Sequence, residues 1–231
     1  MAVSTSQDFN LDIDRVIEDA FLSLGGPPIT GGEAATARRT LNMILADWQN
    51  RGILLWTTQL TITSLASSSV TYNLGTSVVD VLQGVMRETT STSSGITYND
   101  LEMNRITMEQ YEQITSKATK GRPLQFAIHR QRDNPEITFW PTPDKSNYSA
   151  RLWTVRRFFD FDKSADDPDV PYRFLPCLVT GLAYNMALKR PGVPDTRVAL
   201  LKAKYDEELA RALEEDRQRA DMYMLPKIRV I

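Results

Sequence analysis

Cysteine and histidine are nearly missing: one of each occurs in 231 residues. A lone Cys177 excludes an intramolecular disulfide and a multi-cysteine metal site, and it fits a reducing compartment. A lone His129 removes most mechanisms that pair a nucleophile with a histidine base. Long hydrophobic runs are absent too, since none approaches the ~18–20 apolar residues of a membrane span. The opening MAVSTSQDFNLDIDR lacks a basic region followed by an apolar core, so no signal peptide is read. Charge of one sign is not in surplus either. Lys and Arg number 27 against 29 Asp and Glu, a net charge of −2. Tight DNA binding is therefore disfavoured, because its affinity comes chiefly from phosphate neutralisation. Gly25-Gly26 and Gly31-Gly32 match no phosphate-cradling pattern, no Gly-x-Ser-x-Gly occurs, and no repeat recurs at a fixed period.

What is present is patterned. The length suits one large domain or two small ones, and 42% hydrophobic residues suffice for a packed core. Residues 30–56, TGGEAATARRTLNMILADWQNRGILLW, read as an amphipathic helix running into the first strand. Ala34, Ala37, Leu41, Ile44, Leu45 and Trp48 fall at steps of three or four. Thr30 and Glu33 form a capping box, and Gly52 stops the helix in a left-handed conformation. A shorter helix over Asp14 to Leu24 precedes it, with Gly25 to Gly32 as a rigid turn, so residues 12–51 make a helical hairpin.

From Trp56 the period changes to two, which predicts strands over Trp56 to Thr63 and Val70 to Leu74. Val78 to Glu88 reads as a strand interrupted near Gly84, and Thr89 to Gly95 (TTSTSSG) as a surface loop. A short strand follows near Leu101, and a second capping box at Thr107 opens a helix to about Lys117. Leu124 to Ile128 and Glu136 to Trp140 pair across a turn at Asn134-Pro135. Tyr148 to Arg157 is the last strand and the longest. The β region, 54–158, thus carries about seven antiparallel strands and one short helix. Phe158 to Pro171 is an acidic connector, and Pro171 suits the first position of the next helix. Phe174, Leu175, Leu178, Leu182 and Met186 mark that helix's buried face. A final helix runs from Asp195 to about Asp221.

Few residues offer chemistry. Asp160, Asp162, Asp166, Asp167 and Asp169 form the only metal-like cluster. Counted from Asp160, a calcium loop would need glycine and glutamate where Ala165 and Pro171 stand, so a solvated loop is the better reading. His129 has no partner acid or thiol at recognisable spacing and reads as a surface histidine; Cys177, on an apolar helix face, reads as buried and inert. Arg151, Arg156 and Arg157, with Arg130 and Arg132 on a neighbouring strand, are either a strand surface balanced by the acidic loop or a contact for a negatively charged partner such as passing DNA. No catalytic set, cofactor site or metal site emerges, so the expectation is a protein that is not an enzyme. At the end, Met222, Tyr223, Met224, Leu225, Ile228, Val230 and Ile231 make an apolar tail. It reads as a frayed terminus or as a segment that docks on another chain, and its apolar content favours docking.

Four segments carry a family resemblance. RRTLNMILADWQNRGILLW (38–56), VTYNLG (70–75), GRPLQFAIHRQRDNPEITFWPTPD (121–144) and LPCLVTGLAYNMALKRPGVP (175–194) occur in order along nearly the whole chain. Together the set resembles head-to-tail adaptor proteins of short-tailed bacteriophages, the family of the P22 tail accessory factor and the T7-type tail tubular protein A. TTSTSSG and the acidic connector fall outside the resemblance. It implies an α+β virion protein, assembled in the host cytoplasm, that forms a homo-oligomeric ring of about twelve copies below the portal protein. The ring would extend the channel for passing double-stranded DNA without gripping it, and would carry the tail nozzle or hub; no membrane is involved. The portal-binding role falls on Met222, Tyr223, Met224, Leu225, Ile228, Val230 and Ile231. The expected domain plan is a helical hairpin at 1–53, an antiparallel β domain at 54–158, helices at 159–221 that pack with the hairpin, and a tail at 222–231. Alternatives are another neck or tail-completion ring protein, or a hydrolase using carboxylates such as Glu136, Asp160 and Asp162.

Overall fold

Capping chemistry and alternation place the elements much where the sequence suggests. In chain order they are α1 (Ile13–Leu24), α2 (Gly31–Asn50), β1 (Thr58–Ser64), β2 (Thr71–Asn73), β3 (Val78–Thr92) and β4 (Gly95–Ile106). There follow α3 (Met108–Glu112), β5 (Lys120–Gly121), β6 (Gln125–His129), β7 (Glu136–Trp140), β8 (Thr142–Pro143), β9 (Tyr148–Arg156), α4 (Leu175–Lys189) and α5 (Asp195–Glu215). The computed structural model describes residues 11–25, 29–53, 55–93, 95–163 and 167–215. They fall into two compact units, one drawn from 1–55 and 159–231, the other from 56–158. The fold class is α+β, with helices in the N- and C-terminal parts and a sheet between them in sequence.

In the helical unit, Asp12 caps α1 by accepting from the Arg15 backbone N–H at 3.0 Å. The capping box of α2 is complete: Glu33 N–H donates to Thr30 Oγ1 at 3.4 Å, and Thr30 N–H donates to Glu33 Oε2 at 2.9 Å. Gly52, at φ +83°, ends that helix in the left-handed region. α4 packs against α1, α2 and α5 and is the centre of the unit. The sequence marks one buried stripe on it, but Cys177, Thr180, Gly181, Ala183 and Ala187 are buried as well. Their small side chains let three neighbouring helices approach from different sides. The N-terminus of α4 also differs from expectation. Pro171 precedes a 3-10 turn, Tyr172–Phe174, and Pro176 takes the early helical position that suits a residue lacking an N–H.

In the β unit one sheet of seven strands runs in the order β1-β9-β3-β4-β6-β7-β2. Its core includes Val81, Met86, Phe126, Ile137, Phe139, Ala150 and Leu152. Every neighbouring pair is antiparallel except β4 and β6, which run parallel from Asn104↔Gln125 to Ile106↔Ala127. The purely antiparallel sheet read from the sequence is thereby corrected. The physical reason is the connection: α3 and the chain after it cross from the end of β4 back to the start of β6, and only a crossover can join parallel strands. β5 and β8 form a separate two-stranded parallel pair.

Other expectations change for similar local reasons. The stretch TTSTSSG is not simply a loop: β3 continues to Thr92 and pairs with β4 out to Thr92↔Gly95. At 15 residues β3, not β9 with nine, is the longest strand. Gly84 does not interrupt it. A Cβ there would come within 3.2 Å of Met103, Phe126 and Leu152, so the glycine makes room for those side chains over the strand. α3 spans only Met108–Glu112, although its capping box at Thr107 and Gln110 forms as read. The apolar run after Gly52 leads into a 3-10 turn at Leu55–Thr57 before β1 begins.

Candidate interaction surfaces

The sheet presents one face that its own core does not cover. Along β9, Tyr148, Ala150, Leu152 and Thr154 point inward and are buried, so Arg151 and Trp153 point outward. Cross-strand register carries the outward set sideways. Leu60 of β1 stands opposite Trp153, and Ile62 opposite Arg151. Arg151 stands opposite Val85 of β3, and Val85 opposite Glu102 of β4. Further along the β3–β4 hairpin, Arg87 faces Asp100, Thr89 faces Tyr98 and Ser91 faces Ile96. The exposed apolar groups on this face are Leu60, Ile62, Trp153, Tyr98 and Ile96, with Ile62, Tyr98 and Ile96 each more than half exposed. They share one sheet face but stand at its two sides, Leu60 and Ile62 on β1 and Tyr98 and Ile96 on β4, with Arg151, Val85 and Glu102 between them.

Charged groups of the β unit pair with one another. Arg87 donates to Asp100 from Nε at 2.7 Å and from Nη2 at 2.6 Å, a bidentate pair, and its guanidinium lies 4.7 Å from the centre of the Tyr98 ring. The Arg87 hydrogen bonds hold the Asp100 carboxyl below its usual range, with Arg87, Arg151 and Arg122 adding attraction, and the same pair raises Arg87. Glu88 is lowered as well, first by its bond from Lys145. Asp80 on β3 takes Arg105 Nη2 at 2.9 Å on one carboxylate oxygen and Arg130 on the other. Arg157 Nη2 donates to the Arg132 carbonyl at 2.9 Å. The basic cluster read from the sequence is kept only in part: β6 is not the neighbour of β9, and Asp80 supplies countercharge to Arg130, yet Arg157 still reaches Arg132.

The remaining candidates fall as follows. His129 is exposed, with Gln131 Nε2 3.2 Å from its Nδ1, and it stands opposite Glu136 across β6 and β7. Cys177 is buried, and burial pushes its thiol up to about 12. In the acidic connector Asp169 Oδ2 accepts from the Phe159 backbone N–H at 3.0 Å, which ties the segment to itself; Asp166 lies outside the described residues. Among the described residues no group of three or more His, Cys, Asp or Glu is placed to hold a metal ion. Also among them, no helix is long and apolar enough to cross a membrane. Met222, Tyr223, Met224, Leu225, Ile228, Val230 and Ile231 lie outside the described residues.

A family model described as SU10 adaptor protein matches residues 12–230. The chain belongs to the SU10 adaptor protein family. Membership makes it a phage adaptor and a virion component, the class that the ordered sequence segments implied. The matched span takes in both units of the adaptor and most of its C-terminal tail. No curated protein matches the adaptor's sequence. The exposed sheet face could not be recognised in advance, because alternation tells which residues share a face but not whether a second layer covers it.

Proposed function

We propose that this protein is a head-to-tail adaptor of the P22 and T7 kind: a structural ring of about twelve copies, assembled in the host cytoplasm and set below the portal. The ring lengthens the DNA channel and carries the tail nozzle or hub. Membership of the adaptor family over residues 12–230 is the observation that carries the reading. The four ordered sequence segments support the narrower assignment. A net charge of −2 suits a conduit, since strong phosphate contacts would hold DNA that must slide. The arginines paired to Asp80 and Asp100 fit the same requirement.

In this reading the helices of 1–53 and 159–221 form one domain, residues 54–158 form the β domain, and residues 222–231 dock on the portal. Met222, Tyr223, Met224, Leu225, Ile228, Val230 and Ile231 supply the apolar contacts. Burying such a segment removes on the order of several hundred Å² of apolar surface, at about 25 cal/mol per Å² before ordering costs. Deleting residues 222–231 is expected to leave a folded protein that no longer joins the portal. Co-sedimentation of the truncated protein with portal, or rings of it on portal by electron microscopy, would defeat the assignment.

A further inference from the structure

Among the described residues, two strand edges of the sheet have no neighbouring strand, and they match each other. β1 is the end strand, and its seven residues, TQLTITS, include no charge, proline or glycine. End strands of soluble proteins are ordinarily blunted by lysine, proline, bulges or shortness, because an open ladder recruits another strand. The opposite end, β2, has that protection, being three residues long. The second edge belongs to β4. Its far side pairs with β6 only over Asn104–Ile106. Residues 95–101, GITYNDL, are all exposed and, among the described residues, pair on one side alone, with β3. Two carbonyls there accept from side chains: that of Gly95 from Thr92 Oγ1 at 3.0 Å and that of Asn99 from Arg122 Nη2 at 2.8 Å.

We infer that β1 of one copy pairs with residues 95–101 of β4 in the next copy, so that the sheet continues from subunit to subunit around the ring. This rests on the ring reading above. Three features favour a second copy as the occupant. First, one chain offers both halves of the contact, at different edges, which is the requirement for a head-to-tail interface that closes a ring. Second, direction fits. β1, β9, β3 and β4 alternate in direction, so a following copy in the same orientation sets its β1 antiparallel to β4. Third, the faces agree. Leu60 and Ile62 lie on the same sheet face as Tyr98 and Ile96, so joining the edges gathers apolar groups that are exposed in one copy. Thr61 and Thr63 would meet Thr97 and Asn99 on the other face, pairs suited to a ladder.

Amide hydrogen exchange on the full-length protein tests this, measured in dilute solution, at high concentration and in isolated particles. Assembly should slow residues 59–64 and 95–101 together, by about tenfold or more. A parallel test pairs cysteines at Leu60 or Ile62 with cysteines at Ile96 or Tyr98, four double variants that cover the neighbouring registers. At least one should give a ladder of disulfide-linked multimers on mild oxidation, and neither of its single variants should. Rings without protection of these segments would overturn the edge pairing and leave the ring reading intact. Dimers of the single Leu60→Cys chain would overturn it in favour of two-fold β1 pairing. Protection of β1 only when portal or tail protein is added would assign the edge to that partner instead. A monomer under every condition, including particles, would overturn both readings.

Discussion

Gly181→Ala tests how the helical unit is packed. Gly181 lies in the middle of α4, where alanine would ordinarily be favoured by about 1 kcal/mol. Here an added Cβ would sit 2.8 Å from Tyr205 Cε2 and 3.1 Å from its Cδ2. The ring is not free to yield. Its hydroxyl accepts from Trp48 Nε1 at 3.0 Å, and it stacks on Tyr184 with centroids 6.4 Å apart. Trp48 is fully buried. Overpacking of this kind costs about 1–3 kcal/mol. Displacing the ring would also leave the Trp48 N–H buried without an acceptor, at about 1–3 kcal/mol. Against the propensity gain, the net expected loss is about 1–5 kcal/mol, or about 2–4 °C in Tm for each kcal/mol. Urea unfolding followed by tryptophan fluorescence measures it, and the same substitution in a Tyr205→Leu background supplies the comparison. Removing the ring should abolish most of the cost, a coupling of about 1 kcal/mol or more. Gly181→Ala as stable as the parent, or a cost indifferent to Tyr205, would refute the packing argument.

Two further outcomes follow from groups already described. Thr30→Ala removes one half of the α2 capping box and should cost about 1 kcal/mol in chemical denaturation. The bonds from Thr30, first its backbone N–H and then its hydroxyl, also lower the Glu33 carboxyl, so that contribution is present above the ordinary 4.5 and is lost as pH falls through the lowered value; Thr30→Ala removes only the hydroxyl's smaller share and should flatten the acid limb of the stability profile in part. Cys177 behaves in the opposite sense. Its thiol is raised from 9.0 to about 12 in the folded state, so stability holds below about pH 9 and falls as pH rises towards 12. The slope from this group is at most about 1.4 kcal/mol per pH unit. Tyr205, raised by burial, adds to the alkaline loss. Cys177→Ala should reduce the slope between pH 9 and 12, and the native thiol should resist a thiol reagent at neutral pH. An unchanged slope, or rapid native labelling, would contradict the burial.

Much of the fold can be read along the chain because the signals are local. Thr30 and Glu33, or Thr107 and Gln110, are three residues apart and satisfy each other's backbone within one turn, so a helix start is visible without knowing its neighbours. Gly52 marks a stop for the same reason. Polar segments are harder. Thr89 to Thr92 read as a loop because serine and threonine suit turns, yet threonine also suits a strand, and a partner at residues 95–98 decided the matter. The interaction surface was less legible still. Leu60, Ile62, Tyr98 and Ile96 each look like the apolar half of an alternating strand, and nothing nearby in sequence says that they stay exposed. Asp80 finds Arg105 and Arg130, which lie 25 and 50 residues away, only through the order of strands.

By itself the sequence determined the α+β class, the helix caps, the alternating strands and, through four ordered segments, the adaptor relationship. Those properties depend on neighbours within about a turn or a pleat, or on order along the chain, and both survive in one dimension. Tertiary structure alone decided that α4 is the centre of its unit, that β4 meets β6 in parallel, that Asp80 joins Arg105 and Arg130, and that β1 stands at the end of the sheet. Each of these is a choice among distant partners, settled by which contacts can be satisfied together once the chain is closed on itself.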